Sequence, residues 1–136
     1  MVSLSVPARH NERLATLVQL GEADAELVQL HRSANVNAVD RSGINDHGEV
    51  HVRIVANAAL RILRYLAEAG VEPNVVTNHG LTREDAEVVV VLGAWLHDLG
   101  IAFHRDDHEL YSLIIGYPIA RRLLAGIYEE PVVTML

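Results

Sequence analysis

Residues 82–100 read TREDAEVVVVLGAWLHDLG, and this stretch decides how the rest of the chain is interpreted. Thr82, with Asp85 three residues later, has the pattern of a capping box, which marks the start of a helix. Val88–Leu96 is apolar all round, as is typical of an enclosed central helix. The four valines at 88–91 could instead form a strand, but the cap, a length of about 17 residues and the lack of any partner strand favour a helix.

A second helix is predicted over Gly48–Ala69, and Gly70 and Pro73 supply its C-terminal stop. One stripe of this helix recurs at spacings of three and four and is expected to face the core: His51, Ile54, Val55, Ala58, Ala59, Ile62 and Leu66. Polar residues mark the opposite face: Arg53, Asn57, Arg61, Arg64 and Glu68. This pattern directs the imidazole of His51 into the core.

The remaining segments favour further helices separated by loops. Shorter helices are predicted over Asn11–Leu20 and Ala23–His31. A last long helix begins at Asp106 or Asp107, and Pro118 is expected to kink it or split it in two. Another helix is expected to start near Pro131, and the loops are predicted at residues 32–48, 71–80 and 101–106. The expected fold class is all-α, a single domain over residues 1–136 that forms a helical bundle around the central apolar helix.

The composition limits the chemistry that the chain can carry. Its 136 residues are enough for one domain with one core. No cysteine is present, which excludes disulfides and thiolate metal sites. All 11 basic residues are arginine, so a Schiff-base lysine and a P-loop lysine are excluded. The net charge of −7 argues against nucleic acid as a partner, because a nucleic-acid site usually shows as a basic patch.

The sequence shows neither a membrane-spanning segment nor a secretory signal. The longest apolar run, Val88–Leu96, has nine residues. A helix needs about 20 apolar residues to span a bilayer. The first residues, MVSLSVPARHNER, lack a basic region followed by an apolar stretch. A cytoplasmic protein without a membrane partner is therefore expected.

The eight histidines are the unusual feature of the composition. A lone histidine on an apolar stripe, as His51 is, is most often a buried residue satisfied by one hydrogen bond. His47 lies four residues earlier and shares the same face if the helix extends back to it. Its position makes His47 a further candidate ligand.

His97 and Asp98 close the central helix, where the helix macrodipole disfavours a carboxylate. Asp98 therefore needs a positive partner, and either an arginine such as Arg105 or a divalent metal could supply the charge. Neutral imidazoles would serve as further ligands of a metal. Histidine and carboxylate ligands without thiol suit Mn, Fe, Ni, Co or Mg, so a divalent metal ion of this kind is the expected cofactor.

The order of these residues carries a resemblance to a known family. His51 in HVRIV, followed by the adjacent pair in AWLHDLG, resembles the HD superfamily of metal-dependent phosphohydrolases. The resemblance runs from about Asp46 to Leu124, and NDHGEVHVRIVANAALRIL is similar to small archaeal and bacterial HD-domain proteins. It implies an HD-domain-like bundle with His51, His97 and Asp98 as metal ligands, Asp98 bridging if two metals bind.

Two more histidines, His104 and His108, follow in HRDDHELYS. In dinuclear members of the superfamily, additional histidines after the HD pair complete a second metal site, and these two are candidates for that role. Their acidic neighbours equally suit a solvated first helical turn with surface histidines. Three histidines in terminal or loop contexts are expected to be ordinary: His10, His31 and His79.

The chain departs from the superfamily pattern in two places. The pattern ends in an aspartate on a later helix, whereas no aspartate follows Asp107 here. Three interpretations stay open: a C-terminal portion is missing, the chain is a shortened member whose last ligand is His108, a glutamate or water, or it is a degenerate domain that binds without turnover. In addition, Ile101 replaces a lysine often found shortly after the HD pair.

The resemblance implies a metal-dependent phosphohydrolase, a phosphatase or phosphodiesterase, acting through a metal-activated water on a nucleotide or other small phosphate ester. Arg105 is a better candidate than Arg53 for contacting the departing phosphate, because Arg53 lies on the polar face of its helix. Asp107 or a neutral histidine would position the water or act as the acid, beside Asp98 at the metal.

Two other hypotheses compete with a phosphohydrolase. One is a catalytically degenerate HD-like module that binds metal or nucleotide for regulation or assembly. The other is a purely structural domain in which the histidines are packed and Asp98 pairs with an arginine. A homodimer is expected on base rates alone.

Overall fold

A computed structural model describes residues 3–136, and the regular structure of these residues is entirely helical. The α-helices are α1 Glu12–Ala23, α2 Ala25–Asn35, α3 Glu49–Glu68, α4 Asn74–His79, α5 Arg83–Leu96, α6 His108–Ala125 and α7 Val132–Met135. A π-helical turn, Val36–Arg41, extends α2, and a 3-10 turn, Leu99–Ala102, follows α5. The all-α prediction is confirmed, and 88–91 are helical.

Helix α5 is the central element, as its apolar sequence predicts. Its first turn has the complete capping box, in which Thr82 and Asp85 satisfy each other's backbone N–H groups. Residues on several sides of α5 are buried: Val88, Val91, Leu92, Ala94 and Trp95. Gly21 of α1 lies directly against the Trp95 ring and leaves no room there for a Cβ. Helix α5 packs against α1, α3, α4 and α6, and its most extensive contact is with α3.

Helix α3 runs antiparallel to α5, and its buried face is not the one predicted. The core side of α3 is formed by Val52, Ala56 and Leu60, at spacings of four. Members of the predicted core stripe are instead exposed: Ile54, Ala58, Ile62 and Leu66. Apolar residues occupy two faces of α3, so periodicity alone could not show which face packs against α5.

Three predicted boundaries also need correction. The segment 32–48 is not a loop throughout, because α2 and the π-helical turn continue to Arg41 and bury Ala38. The connection 71–80 contains the short helix α4. Pro118 does not split α6, which continues unbroken over its whole length. The additional helix expected near Pro131 is confirmed as α7.

The hydrophobic core lies between α5 and the helices around it. Buried residues from α1, α2, α3, α5 and α6 form one cluster that includes Leu14, Leu27, Leu60, Trp95 and Ile119. Over the described part of the chain, no helix has both the length and the apolar composition needed to cross a membrane. The packing of α3 against α5 brings the first turn of α3 next to the residues that follow α5.

Candidate metal centre

The carboxylate of Asp98 lies at the centre of a group of histidines. Its Oδ2 is 2.9 Å from Nε2 of His97 and 3.2 Å from Nε2 of His51. Its Oδ1 is 3.6 Å from Nε2 of His108. One ligand atom each from His51, His97 and Asp98 lies within 4.8 Å of the others, which is close enough to hold one metal ion. Asp98 itself is only 8% exposed.

Hydrogen bonds to backbone carbonyls orient two of these imidazoles. Nδ1 of His97 is 2.8 Å from the carbonyl oxygen of Ala94, and Nδ1 of His108 is 2.9 Å from that of Arg105. A carbonyl oxygen only accepts, so each Nδ1 carries the proton and donates it. When each ring is neutral, the Nε2 atom that faces Asp98 therefore has a lone pair, as metal ligation requires.

His47 lies beside the cluster, although not for the reason that the sequence suggested. Helix α3 begins at Glu49, so His47 precedes the helix and does not share a helical face with His51. The two rings nevertheless lie with their centroids 4.9 Å apart. The backbone N–H of His47 donates to Oδ1 of Asn35 (3.0 Å), and its Nδ1 donates to the carbonyl of Asn45 (2.7 Å). The loop, rather than helical spacing, sets its position.

The carboxylate and the imidazoles of the cluster shift each other's pKa values. Burial disfavours the ionised form of Asp98, but the hydrogen bond from His97 and the nearby charges of His97, His47 and His51 lower its pKa overall. The same hydrogen bond raises the pKa of His97, against the effect of burial. The ionised carboxylate of Asp98 and a proton on His97 thus favour each other.

The alternative in which an arginine balances Asp98 is contradicted. Among residues 3–136, the groups within ion-pairing distance of Asp98 are imidazoles, and no guanidinium is one of them. Arg105 lies exposed on the loop before α6. The site thus needs either a proton or a cation from outside the chain to balance its carboxylate.

Asp46 holds His51 in place, and the sequence analysis did not single it out. Its Oδ1 accepts hydrogen bonds from the backbone N–H groups of His51 (3.0 Å) and Gly48 (3.3 Å). These N–H groups belong to the start of α3, where a helix leaves its donors unsatisfied. An aspartate shortly before a predicted helix is a capping signal that could have identified Asp46.

The 3-10 turn after Asp98 is held from two sides. The side-chain amide of Asn37 donates to the carbonyls of Ile101 (2.9 Å) and Ala102 (2.8 Å). The backbone N–H of Gly100 donates to Oγ of Ser112 on α6 (2.8 Å). A Cβ at Gly100 would overlap the backbone carbonyl of His108. Glycine at this position therefore lets the first turn of α6 approach and bring His108 to Asp98.

His31 is a buried core residue of α2, not the ordinary terminal or loop histidine that was expected. It is fully buried, and its Nε2 is 2.7 Å from the carbonyl oxygen of Trp95. Burial lowers the pKa of His31, so the ring is neutral and donates through Nε2. This bond satisfies a carbonyl in the last turn of α5, just before His97.

The structure does not bring the remaining candidates into contact with Asp98. His104 is exposed ahead of α6, and its Nδ1 accepts the backbone N–H of Asp106 (3.1 Å). Asp107 is the exposed N-cap residue of α6, with a left-handed backbone and no capping hydrogen bond from its side chain. His104 and His108 do not share a helical face, because α6 begins only at His108.

Comparison with known proteins finds a relative, but the name of that relative states no activity. No family model matches the chain, and no solved structure matches it. An uncharacterized protein of the archaeon Methanocaldococcus jannaschii is 41% identical over 99 residues, which are 73% of this chain. The match covers 38% of the length of that relative. The cluster geometry is therefore the main guide to function.

Proposed function

We propose that this chain is the metal-binding core of an HD-type phosphohydrolase, with its helices arranged as an HD-domain-like bundle. The observation that carries the proposal is the buried Asp98 carboxylate, which the Nε2 atoms of His51, His97 and His108 approach. A carboxylate at the C-terminal end of a helix is electrostatically unfavourable unless positive charge is placed beside it.

The donor set fits a divalent cation. His51, His97 and Asp98 would hold it, with His108 and His47 next to them. Nitrogen and oxygen donors without thiol suit Mn, Fe, Ni, Co or Mg. Bound there, the cation would lower the pKa of water toward neutrality and neutralise charge on the phosphoryl group.

The proposed reaction is hydrolysis of a nucleotide or other small phosphate ester. A water oxygen forms a new bond to phosphorus, the ester P–O bond breaks, and the departing alcohol oxygen takes up a proton. Nε2 of His108 is placed to hold or transfer a proton, because Nδ1 is already committed to the Arg105 carbonyl. We assign the phosphate contact to Arg105, which is exposed on the segment that leads into His108.

A catalytically degenerate, metal- or nucleotide-binding module is the second candidate. The observation in its favour is that Asp98 is the one carboxylate in the described His/Asp cluster. Glu109, the acid of α6, has its Oε2 3.6 Å from Nδ1 of His108, but its side chain is 78% exposed. In this case the cluster would bind its ligand for regulation or assembly without turnover.

Metal analysis combined with activity measurement tests the proposal. The purified chain is supplied with Mn, Co or Ni, its metal content is measured, and hydrolysis of phosphomonoesters and phosphodiesters is assayed. We expect near-stoichiometric metal and metal-dependent hydrolysis, both lost in His51→Ala and Asp98→Ala. His79→Ala is the matched control, since His79 is exposed on α4.

The outcomes separate the candidates. Metal binding without hydrolysis of any ester would favour the degenerate module. If the chain binds no metal, or if Asp98→Ala binds metal as well as the wild type does, the remaining hypothesis is a structural domain with packed histidines.

A further inference from the structure

An apolar groove of about 910 Å³ lies between α5 and α6, directly beside the metal centre. Its walls are formed by Leu96 of α5 and by Leu113, Ile114 and Tyr117 of α6. Leu113 is 71% exposed, and Tyr117 and Ile114 are similarly open to solvent. Pockets of about 300–1,000 Å³ lined by apolar side chains are typical of small-molecule sites.

The groove and the metal centre share a residue. His97 lines the groove while its Nε2 faces Asp98. Glu109 and Ser112 lie along the groove on α6, on the helix that also carries His108. A molecule whose phosphate reaches the cluster would therefore have the groove next to it, within reach of its organic group.

The lining of the groove provides few contacts for a charged or strongly polar group. Apart from His97, its charged lining residue is Glu109, which repels a phosphate. The Ser112 hydroxyl already accepts the backbone N–H of Gly100 (2.8 Å). A sugar placed against Leu113 and Ile114 would lose hydrogen bonds to water without replacement, which costs free energy. A hydrocarbon group would instead gain from leaving water.

We propose that this groove binds the organic group of the substrate and that this group is apolar. Building on the proposed phosphohydrolase function, the preferred substrates are phosphate monoesters of alcohols with an alkyl chain or aromatic ring. Sugar phosphates and polyphosphates are poorer ligands, which narrows the substrates of the proposed function from nucleotides to apolar phosphate esters.

A binding experiment tests the groove without relying on turnover. Ethylphosphonate and n-hexylphosphonate, which have no ester bond to hydrolyse, are titrated into the manganese-loaded full chain by calorimetry. We expect the affinity for the phosphonate to rise by roughly twofold to fourfold for each added methylene. The upper figure corresponds to complete burial of the methylene. In parallel, kcat/KM is compared for ethyl and n-hexyl phosphate, whose leaving alcohols are chemically alike.

A matched pair of variants assigns the effect to the groove. Ile114, in the groove wall, is 61% exposed, and Ile62, on α3 and not part of that wall, is 59% exposed. We expect Ile114→Ser to weaken n-hexylphosphonate binding about fivefold and leave ethylphosphonate unchanged, as removing a few methylenes from the contact predicts. Ile62→Ser should change neither affinity.

Each outcome decides for or against the groove. Equal affinity for both phosphonates, or no binding of either, overturns the proposal. The proposal is also overturned if the chain self-associates and Ile114→Ser, but not Ile62→Ser, abolishes the association. A second copy of the chain would then occupy the groove. Chain-length-dependent binding without hydrolysis of any ester supports the groove and contradicts the phosphohydrolase function. Ester hydrolysis whose rate does not depend on the length of the alkyl chain supports the phosphohydrolase function and contradicts the groove.

Discussion

The negative charge of Asp98 has to be balanced by the groups around it. It is buried, it follows a helix whose carbonyls point toward it, and its ion-pairing neighbours are imidazoles. An imidazole supplies positive charge only when protonated, so the charge of Asp98 can be balanced in two ways, by protons on these rings or by the proposed cation. The same side chains serve in both cases.

His108 and His104 should differ sharply in their effect on metal binding, although they lie four residues apart. Nε2 of His108 faces Asp98, whereas His104 is exposed and its Nδ1 is already engaged. We expect His108→Ala to weaken manganese affinity by roughly tenfold or more, in the range for residues that support a metal site. His104→Ala should leave the affinity unchanged in the same calorimetric titration. Equal losses in both variants would mean that His108 has no special position.

Metal affinity should increase with pH across the range in which His97 titrates. The hydrogen bond to Asp98 raises the pKa of His97, so below that pKa a proton occupies the Nε2 that a metal needs. Affinity should therefore fall as pH drops through this raised pKa, and binding should release about one proton at lower pH. Calorimetry in buffers of different ionisation enthalpy measures that release, and a pH-independent affinity would contradict it.

Single residues show what the sequence can and cannot predict about the site. His51, His97 and Asp98 were predicted to come together, and they do lie together. Asp46 acts from the loop before α3, and Asn37 acts from a π-helical turn, and neither conformation follows from α-helical periodicity. The alternative of an Asp98–arginine pair is contradicted because imidazoles surround the carboxylate.

At the scale of elements, the two ends of α5 are fixed in different ways. The first turn is anchored by Asp85, which accepts hydrogen bonds from Arg13 (2.6 Å), the Tyr128 hydroxyl (2.7 Å) and the Thr82 backbone (2.9 Å). The last turn is anchored by His31 and leads into the His/Asp cluster around Asp98. Side-chain hydrogen bonds thus hold α5 at both ends.

Asp85→Asn should destabilise the protein by about 1–3 kcal/mol at pH 7, the range for losing hydrogen bonds to a charged group. Burial opposes ionisation of Asp85, but the hydrogen bonds from Thr82, Tyr128 and Arg13 outweigh it and lower its pKa. Its stabilisation is present above the unfolded-state pKa and is lost as pH falls through the folded-state value. Urea unfolding at pH 7 and pH 3 should show the variant converging on the wild type in acid. Glu84→Gln, exposed in the same turn, is the control.

Gly100→Ala should displace the first turn of α6 from the turn after Asp98. The added methyl would overlap the His108 carbonyl, and overpacking of this kind costs about 1–3 kcal/mol. We expect a lower Tm together with weaker metal binding, because His108 moves with α6. Gly93→Ala is the matched control, because its Cβ meets nothing and alanine stabilises a helix interior by about 1 kcal/mol. A normal Tm in Gly100→Ala would show that α6 is not held this closely.

Helix α3 shows where element-level prediction reached its limit. Its existence and approximate length follow from its periodicity, and its cap residues confirm the start near Gly48. Its buried face, formed by Val52, Ala56 and Leu60, is set by packing in the bundle, where α5 is its main neighbour. With apolar residues on both sides, the sequence of α3 is compatible with either orientation.

At the scale of the whole molecule, the metal centre joins α3, α5 and α6 across one end of the bundle. A cation that binds the folded chain but not the unfolded chain stabilises it by mass action. Free manganese at 100 times its Kd should raise the free energy of unfolding by about 2.7 kcal/mol. Thermal unfolding with manganese, and again after addition of a chelator, measures the shift and its reversal. Asp98→Ala should show no shift, and an equal shift would mean that the metal binds elsewhere.

The burial of Trp95 gives the molecule an optical consequence. Trp95 is the sole tryptophan, has no exposed surface, and lies two residues before His97. All tryptophan fluorescence of the chain therefore originates from one dry indole beside the metal centre, with emission at short wavelength. Cobalt or nickel bound at the cluster would quench this light, whereas magnesium would not. Trp95 would thus serve as an intrinsic reporter of cobalt or nickel binding at the candidate site, without any added label.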